Sequence, residues 1–463
     1  MKIKNIEQLI SSGAMDERKI MLDIINGALE ELDSYHVIRN LLKLKGTVLH
    51  IGGRQWDLGH KRRVFVVGAG KACNAMARAV DEILGPFIAE GVVIVKKLED
   101  NDKLHHIELL TAGHPLPNED GLKASQRILQ LVDKATSDDL FIGLISGGSS
   151  ALMSCPVPGI TLDDEILITD QLLKCSARIL EINAIRRHIS ATNGGRLAQK
   201  IEAKGAEFIN LIISDVVGDK AMVDPEKPVA YWGTPVAPDR TTLQDARDVL
   251  KKFNLLPQAP KSIVNYLHAE DHSRETPKSF GRHVVHFVLR GTADSCEAVL
   301  KTARQLGLPG MVLTTLLEGE SREAGTFLAS VAKEIALNQR PMVPPCVIVA
   351  GGETTTTIEG PAGMGGPSQE LALGFAMEIN GKKGICLAAI DTDGTDGASD
   401  FSGGLVDGFT VERARVLGLD VYERLRAHDS AALFMSLGDG IITGNTGTNV
   451  CDMNVVYIAK SES

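Results

Sequence analysis

The segment RVFVVGAGKACNAMARAVDEIL (63–84) decides the fold. An apolar, β-branched run ends in Gly68-Ala69-Gly70, and a helix-patterned stretch starts at Lys71. That is a buried strand, a tight turn and a helix. DDLFIGLISGGSSAL (138–152) and EFINLIISDVVGD (207–219) each repeat the strand and the turn. GVVIVKK (91–97) and HIELLT (106–111) read as further strands, with helix-patterned segments between them. Alternating strands and helices predict a doubly wound parallel sheet covered by helices.

Around this block, 463 residues are enough for two or three domains. Only 4% of residues are aromatic, so the core is built from Val, Ile, Leu and Ala, as in parallel sheets. A net charge of -10 argues against a general nucleic-acid binder. It leaves room for a locally basic pocket and a small anionic substrate. The seven cysteines form no CxxC pair and no zinc spacing, which predicts reduced thiols in a cytoplasmic protein. No secretory leader or membrane span is read in the sequence. The polar, Pro-containing stretch 255–280 reads as a junction, dividing the chain into domains 1–262 and 263–463. Beyond it the pattern restarts with HVVHFVLRG (283–291), GMVLTTLLEG (310–319), PCVIVAGGETT (345–355), GICLAAIDTDGTDG (384–397) and NVVYIAK (454–460).

The chemistry is read from the loops that follow these strands. Backbone N–H groups around Gly68, Gly70 and Lys71 can cradle phosphate. The loop is neither a Walker A motif nor a complete GxGxxG, since Phe65 and Cys73 stand at key places. Ser146-Gly147-Gly148-Ser149-Ser150 reads as an anion nest. It also approximates a nucleophile elbow, but Pro156 and Pro158 leave no room for the long helix an elbow needs. Arg186, Arg187, His188 and Arg196 fall within eleven residues, either as a solvated basic face or as an anion clamp. Asp215 and Asp219 follow one strand, and Asp391, Asp393 and Asp396 follow another. Such carboxylates are hard ligands suited to Mg²⁺ or ordinary turn residues. Glu353 in GGETT, Gln369 in GMGGPSQE, and Thr446 and Asn449 in TGNTGTNVCD add small-polar loops.

In this order, VVGAGKA, TAGHPLPNEDG, SGGSSAL, PGITLDD, EINAIRRHIS, GGRLA, SDVVGD, GGETT, QELAL, DTDGTDG and TGTNV resemble the glycerate 2-kinase family, the class with a C-terminal MOFRL domain. Some of its members carry the name hydroxypyruvate reductase. The resemblance covers nearly the whole chain. It implies two α/β domains, a Rossmann-like first and a smaller MOFRL-type second, with the active site in a cleft between them. It implies transfer of the γ-phosphoryl of ATP to the 2-hydroxyl of D-glycerate with Mg²⁺, and it is compatible with a homodimer. Lys71, Arg187, Arg196 and Asp215 are the expected catalytic groups, and Asp391 and Asp393 the metal ligands. Gly68, Gly70, Ser146 to Ser150, Glu353, Thr446 and Asn449 are expected to meet the nucleotide. Four positions depart from the family pattern. Ser149 stands for a Gly, Asn193 for a Lys, Trp232 lies where an SGPT-type turn is usual, and Pro367 stands for an Arg. Asn193, Trp232, Pro367 and Gln369 are therefore expected to shape a changed acceptor pocket. An NADP-linked hydroxy-acid reductase, with Lys96 and Lys97 meeting the 2′-phosphate, and a non-catalytic ligand-binding paralogue are the alternatives.

Overall fold

The structure is a computed structural model that describes residues 1–175, 177, 179–222, 235–358 and 360–460. These fall into two compact units, one of residues 34–214 and 222–289, the other of 1–33, 215–221 and 290–463.

In the first unit, one sheet comprises β1 (Val64–Ala69), β2 (Ile88–Val95), β3 (Ile107–Thr111), β4 (Leu140–Ile145), β5 (Glu207–Ile213) and β6 (Val284–Arg290). Their order is β3-β2-β1-β4-β5-β6. The pairs β1–β2, β1–β4, β2–β3 and β4–β5 run parallel. Every residue of β1 and β4 is buried, so both faces of the sheet centre are covered, as the apolar runs require. The chain builds outward in one direction from β1 and in the other from β4. Their carboxyl ends therefore flank a topological switch point, where open α/β sheets bind ligands. Helices Leu162–Lys174, Leu243–Lys252 and Lys261–His268 pack into a separate apolar core in this unit. Thr161 with Asp164, and Thr242 with Asp245, form capping boxes that start the first two of them.

Glu275 ties this helical core together. It accepts from the Leu243 N–H at 3.0 Å and from Lys278 Nζ at 2.8 Å, and it lies 2.8 Å from His188 Nε2. Burial alone would raise its carboxyl, but Lys278, the Leu243 N–H and His188 hold it down at about 2. A carboxylate with a depressed folded pKa stabilises fully above its ordinary value of 4.5 and loses that contribution as pH falls toward 2. Discounted for partial exposure, the contribution is about 1–2 kcal/mol. Glu275→Gln is expected to lower the unfolding free energy by that amount at pH 7. Urea melts across pH should show the gap to wild type closing between pH 5 and 2; a constant gap would refute this account.

The second unit holds β7 (Gly310–Leu317), β8 (Cys346–Gly352), β9 (Ile385–Asp391), β10 (Gly403–Asp407), β11 (Gly440–Ile441) and β12 (Asp452–Ile458), in the order β7-β8-β12-β9-β10-β11. The restarted pattern is only partly parallel. β7–β8 runs parallel, whereas β12 inserts between β8 and β9 and pairs antiparallel with both. β9 and β10 are joined by an eleven-residue loop and also pair antiparallel, a geometry that needs no crossover helix. Helix Met15–Leu32 belongs to this unit too, although the sequence places it with the first domain. Arg18 on that helix is fully buried and pairs with Asp407 and Asp439. Among the described residues, no helix is long and apolar enough to cross a membrane.

Candidate active site

At the ends of β1 and β4 the two turns are bonded to each other. Lys71 N–H donates to Gly147 O at 2.9 Å, and Ala72 N–H to Ser146 Oγ at 2.9 Å. A Cβ on Gly68 would lie 2.0 Å from Leu144 O, so only glycine lets the strands approach this closely. Gly148 has φ +82°, and a Cβ there would lie 3.0 Å from His114 Cδ2 and 3.2 Å from Lys71 Cγ. Lys71, His114 and Gly148 thus converge at the switch point. Ser146 is spent in part on bracing the turns. The helix after the loop is only Ser149–Leu152, too short for a nucleophile elbow.

The basic segment is not a solvated face. Arg186 and Arg187 are buried, and His188 is fully enclosed. Arg187 Nη1 donates to Asp239 Oδ1 at 3.0 Å. Arg186 lies near Glu165 and, among the described residues, finds no hydrogen-bond partner for Nε or Nη2; burial lowers its pKa. Arg187 Nη2 and Asn193 Oδ1 are likewise buried without a partner among the described residues. Asn193 Nδ2 donates to Ser150 O at 3.1 Å, which places Asn193 beside the nest. Unspent guanidinium nitrogens in a dry setting are costly unless an anion or water meets them. Arg196 turns elsewhere: its Nη2 donates to the carbonyls of His188 and Arg274.

In the second unit, carboxylates gather at one end of the sheet. β12 begins at Asp452, paired across the ladder with Asp391 at the end of β9 and Gly352 at the end of β8. Asp391 Oδ1 accepts from Asp393 N–H at 3.0 Å, and Asp393 Oδ1 from Thr395 N–H at 2.8 Å. Burial, then Asp391, Glu353 and Asp396, push Asp452 well above the usual carboxylate range. Burial raises Asp396 to about 6, although it accepts from the N–H groups of Ser368 and Gln369. Cys451 Sγ donates to Asp215 O at 2.9 Å, and burial with Glu353 and Asp215 raises its thiol pKa. Thr446 Oγ1 donates to Thr392 O, and Thr446 N–H to Asp393 O at 3.4 Å, bracing the aspartate loop. Asn449 is buried, with Nδ2 unpartnered among the described residues.

The acceptor-pocket expectations fare differently. Gln369 is fully buried, and its amide donates to Asp396 and Ser399. Pro367 opens helix Pro367–Glu378, a position that tolerates its missing N–H. Trp232 lies outside the described residues. Asp452 and His114 were not among the expected site residues, and Arg186 was read only as one member of the basic run. Asp452 follows directly on TGTNVC in the sequence, but its partners are set by strand register. Among the described residues, no three His, Cys, Asp or Glu side chains are arranged to hold a metal on their own.

A parallel sheet with a glycine-lysine turn at its switch point in one unit, and a mixed sheet ending in clustered aspartates in the other, define a two-unit α/β enzyme. Two family models match the chain. A domain of unknown function (DUF4147) spans residues 20–268, and the MOFRL family spans 346–452. The chain is 40% identical over 451 residues to the glycerate 2-kinase of Pyrococcus horikoshii, covering 96% of this chain and 98% of that protein. It is 37% identical to the D-glycerate 2-kinase of Thermotoga maritima, covering 86% and 91%, and 36% identical to a putative hydroxypyruvate reductase of Agrobacterium vitis, covering 86% and 87%. The crystal structure of the Thermotoga maritima glycerate kinase superposes with a TM-score of 0.76 at 33% identity, covering 95% of this chain and 99% of that one. This chain belongs to the glycerate 2-kinase family of DUF4147–MOFRL proteins.

Proposed function

We propose that the protein transfers the γ-phosphoryl of Mg²⁺-ATP to a hydroxyl of D-glycerate or a related small sugar acid. The observation that carries this reading is the pair of cross-bonded turns at the β1/β4 switch point, with Lys71 beside Gly148. Phosphoryl transfer asks a protein mainly for positioning and for charge stabilisation. Lys71 supplies a cation for the transferring group, and the turn 146–150 supplies N–H donors. Arg186 and Arg187, with buried unspent nitrogens, suit a carboxylate or phosphate of a ligand.

The aspartate set fits Mg²⁺ by its chemistry, because buried carboxylates that repel one another are relieved by a divalent cation. Asp391 and Asp393 would hold the ion; with no three-ligand cage among the described residues, water and phosphate oxygens would complete its shell. When bound, the ion neutralises phosphate charge. Asp215 would orient the accepting hydroxyl.

A coupled ADP-release assay with Mg²⁺-ATP across three- to six-carbon sugar acids tests the proposal. Turnover with D-glycerate or a close homologue is expected. Turnover confined to longer acids would place Asn193 and Pro367 in a remodelled acceptor pocket. Silence across the panel would overturn the kinase reading, and NADPH oxidation with hydroxypyruvate in a parallel cuvette would replace it with a reductase.

A further inference from the structure

A second cationic pocket lies in the first unit, and none of its lining belongs to the turns at 68–71 or 146–150. It is half open to solvent, has a volume of about 230 Å³ and is lined by Arg196, Gln199, Lys200, Tyr266, Ser273 and Arg274 among others. Arg196 and Lys200 stand four residues apart on helix Arg196–Ala203. Like charges at this spacing destabilise a helix slightly, so their pairing is not there for the helix. Arg274 arrives from the turn His272–Arg274. Its guanidinium lies 4.5 Å from the Tyr266 ring centre, and its Nη1 donates to Tyr266 O at 2.9 Å.

The cations are held in place but scarcely neutralised. Arg196 is pinned by the carbonyls of His188 and Arg274, and its Nε is buried without a partner among the described residues. Among the described residues, neither Arg196 nor Lys200 meets a carboxylate; Arg274 has Asp271 at 3.2 Å. Three cations around one small cavity are out of keeping with a chain of net charge -10. Gln199 adds a neutral donor, while the Ser273 hydroxyl already donates to Asp271 Oδ1. We infer that this pocket binds the phosphate group of a small anion, as a site separate from the Lys71 turn. Arg and Lys together supply forked and point donors of the kind that phosphate takes. Arg196 follows Asn193 by three residues, and Asn193 holds Ser150 O, so occupancy bears on the nest through one short segment.

The group could be free inorganic phosphate or the phosphate of a phosphorylated carboxylic acid. The test is calorimetric titration of the full chain with inorganic phosphate and, separately, with 2-phosphoglycerate, at constant ionic strength and without nucleotide. Wild type is compared with Lys200→Glu and with Lys200→Glu/Arg274→Gln. Lys200 is exposed, so the single variant guards against misfolding of the double. About a tenfold or greater loss of affinity is expected in the double variant, with an intermediate loss in the single. Loss for both ligands assigns the phosphate group itself, and loss for the ester alone assigns the phosphorylated acid. Unchanged affinity for both would overturn the inference. Since no nucleotide is present, failure here is distinguishable from failure of the kinase reading.

Discussion

Lys71→Ala is expected to lower kcat for phosphoryl transfer by about 10²–10³-fold, the scale seen when one preorganised charge-stabilising donor is removed. Lys71 leaves β1 at the switch point, and its N–H is bonded to Gly147 O at 2.9 Å. That bond is made by the backbone, so alanine keeps the cross-bonded turns and removes only the ammonium. The loss should therefore fall on kcat more than on the melting temperature. Lys71→Arg keeps a charge but changes its reach and fork, and should recover part of the rate. Steady-state kinetics with the acceptor found in the ADP-release assay measures both variants. A loss of less than tenfold in Lys71→Ala, with Tm unchanged, would remove Lys71 from the chemistry.

Arg18→Leu is expected to cost about 3–5 kcal/mol, the range for breaking a buried ion pair from one side. Arg18 is enclosed, and its Nη1 and Nη2 reach Asp439 at 2.6 and 3.1 Å, while Nε meets Asp407. Burial opposes the guanidinium charge, yet Asp439 and Asp407 more than offset this and hold its pKa above the usual arginine value. Leucine would leave two buried carboxylates facing each other with less counter-charge; Arg413 still reaches Asp439 at 2.8 Å. The second unit should then melt about 10 °C lower, seen as a separated or shifted calorimetric transition. Arg18→Leu/Asp407→Asn should recover part of the loss, because it removes one stranded charge. A shift of under about 2 °C would mean that the helix Met15–Leu32 is held by apolar packing alone.

The first unit was legible in the sequence because its information is local. Runs such as RVFVVGAG and LFIGLISGG carry strand, turn and helix start within a dozen residues, and parallel β-helix alternation admits few topologies. The identity of the candidate loops followed from the same stretches, since the residues that cradle an anion are neighbours in the chain. What only the tertiary structure decided depends on contacts between distant segments. β12, at the chain's end, slips between β8 and β9, and that register sets Asp452 against Asp391; no periodicity within 452–458 encodes a partner. Arg18 joins Asp407 and Asp439 across about 400 residues, which drew the N-terminal helix into the second unit. The basic run 186–196 shows the limit most plainly. Its composition allowed a solvated face or a clamp, and packing removed the solvated face, enclosing Arg186 and Arg187 and turning Arg196 into a different pocket. Side-chain type is written in the sequence, but the environment that sets its charge and reach is made by packing.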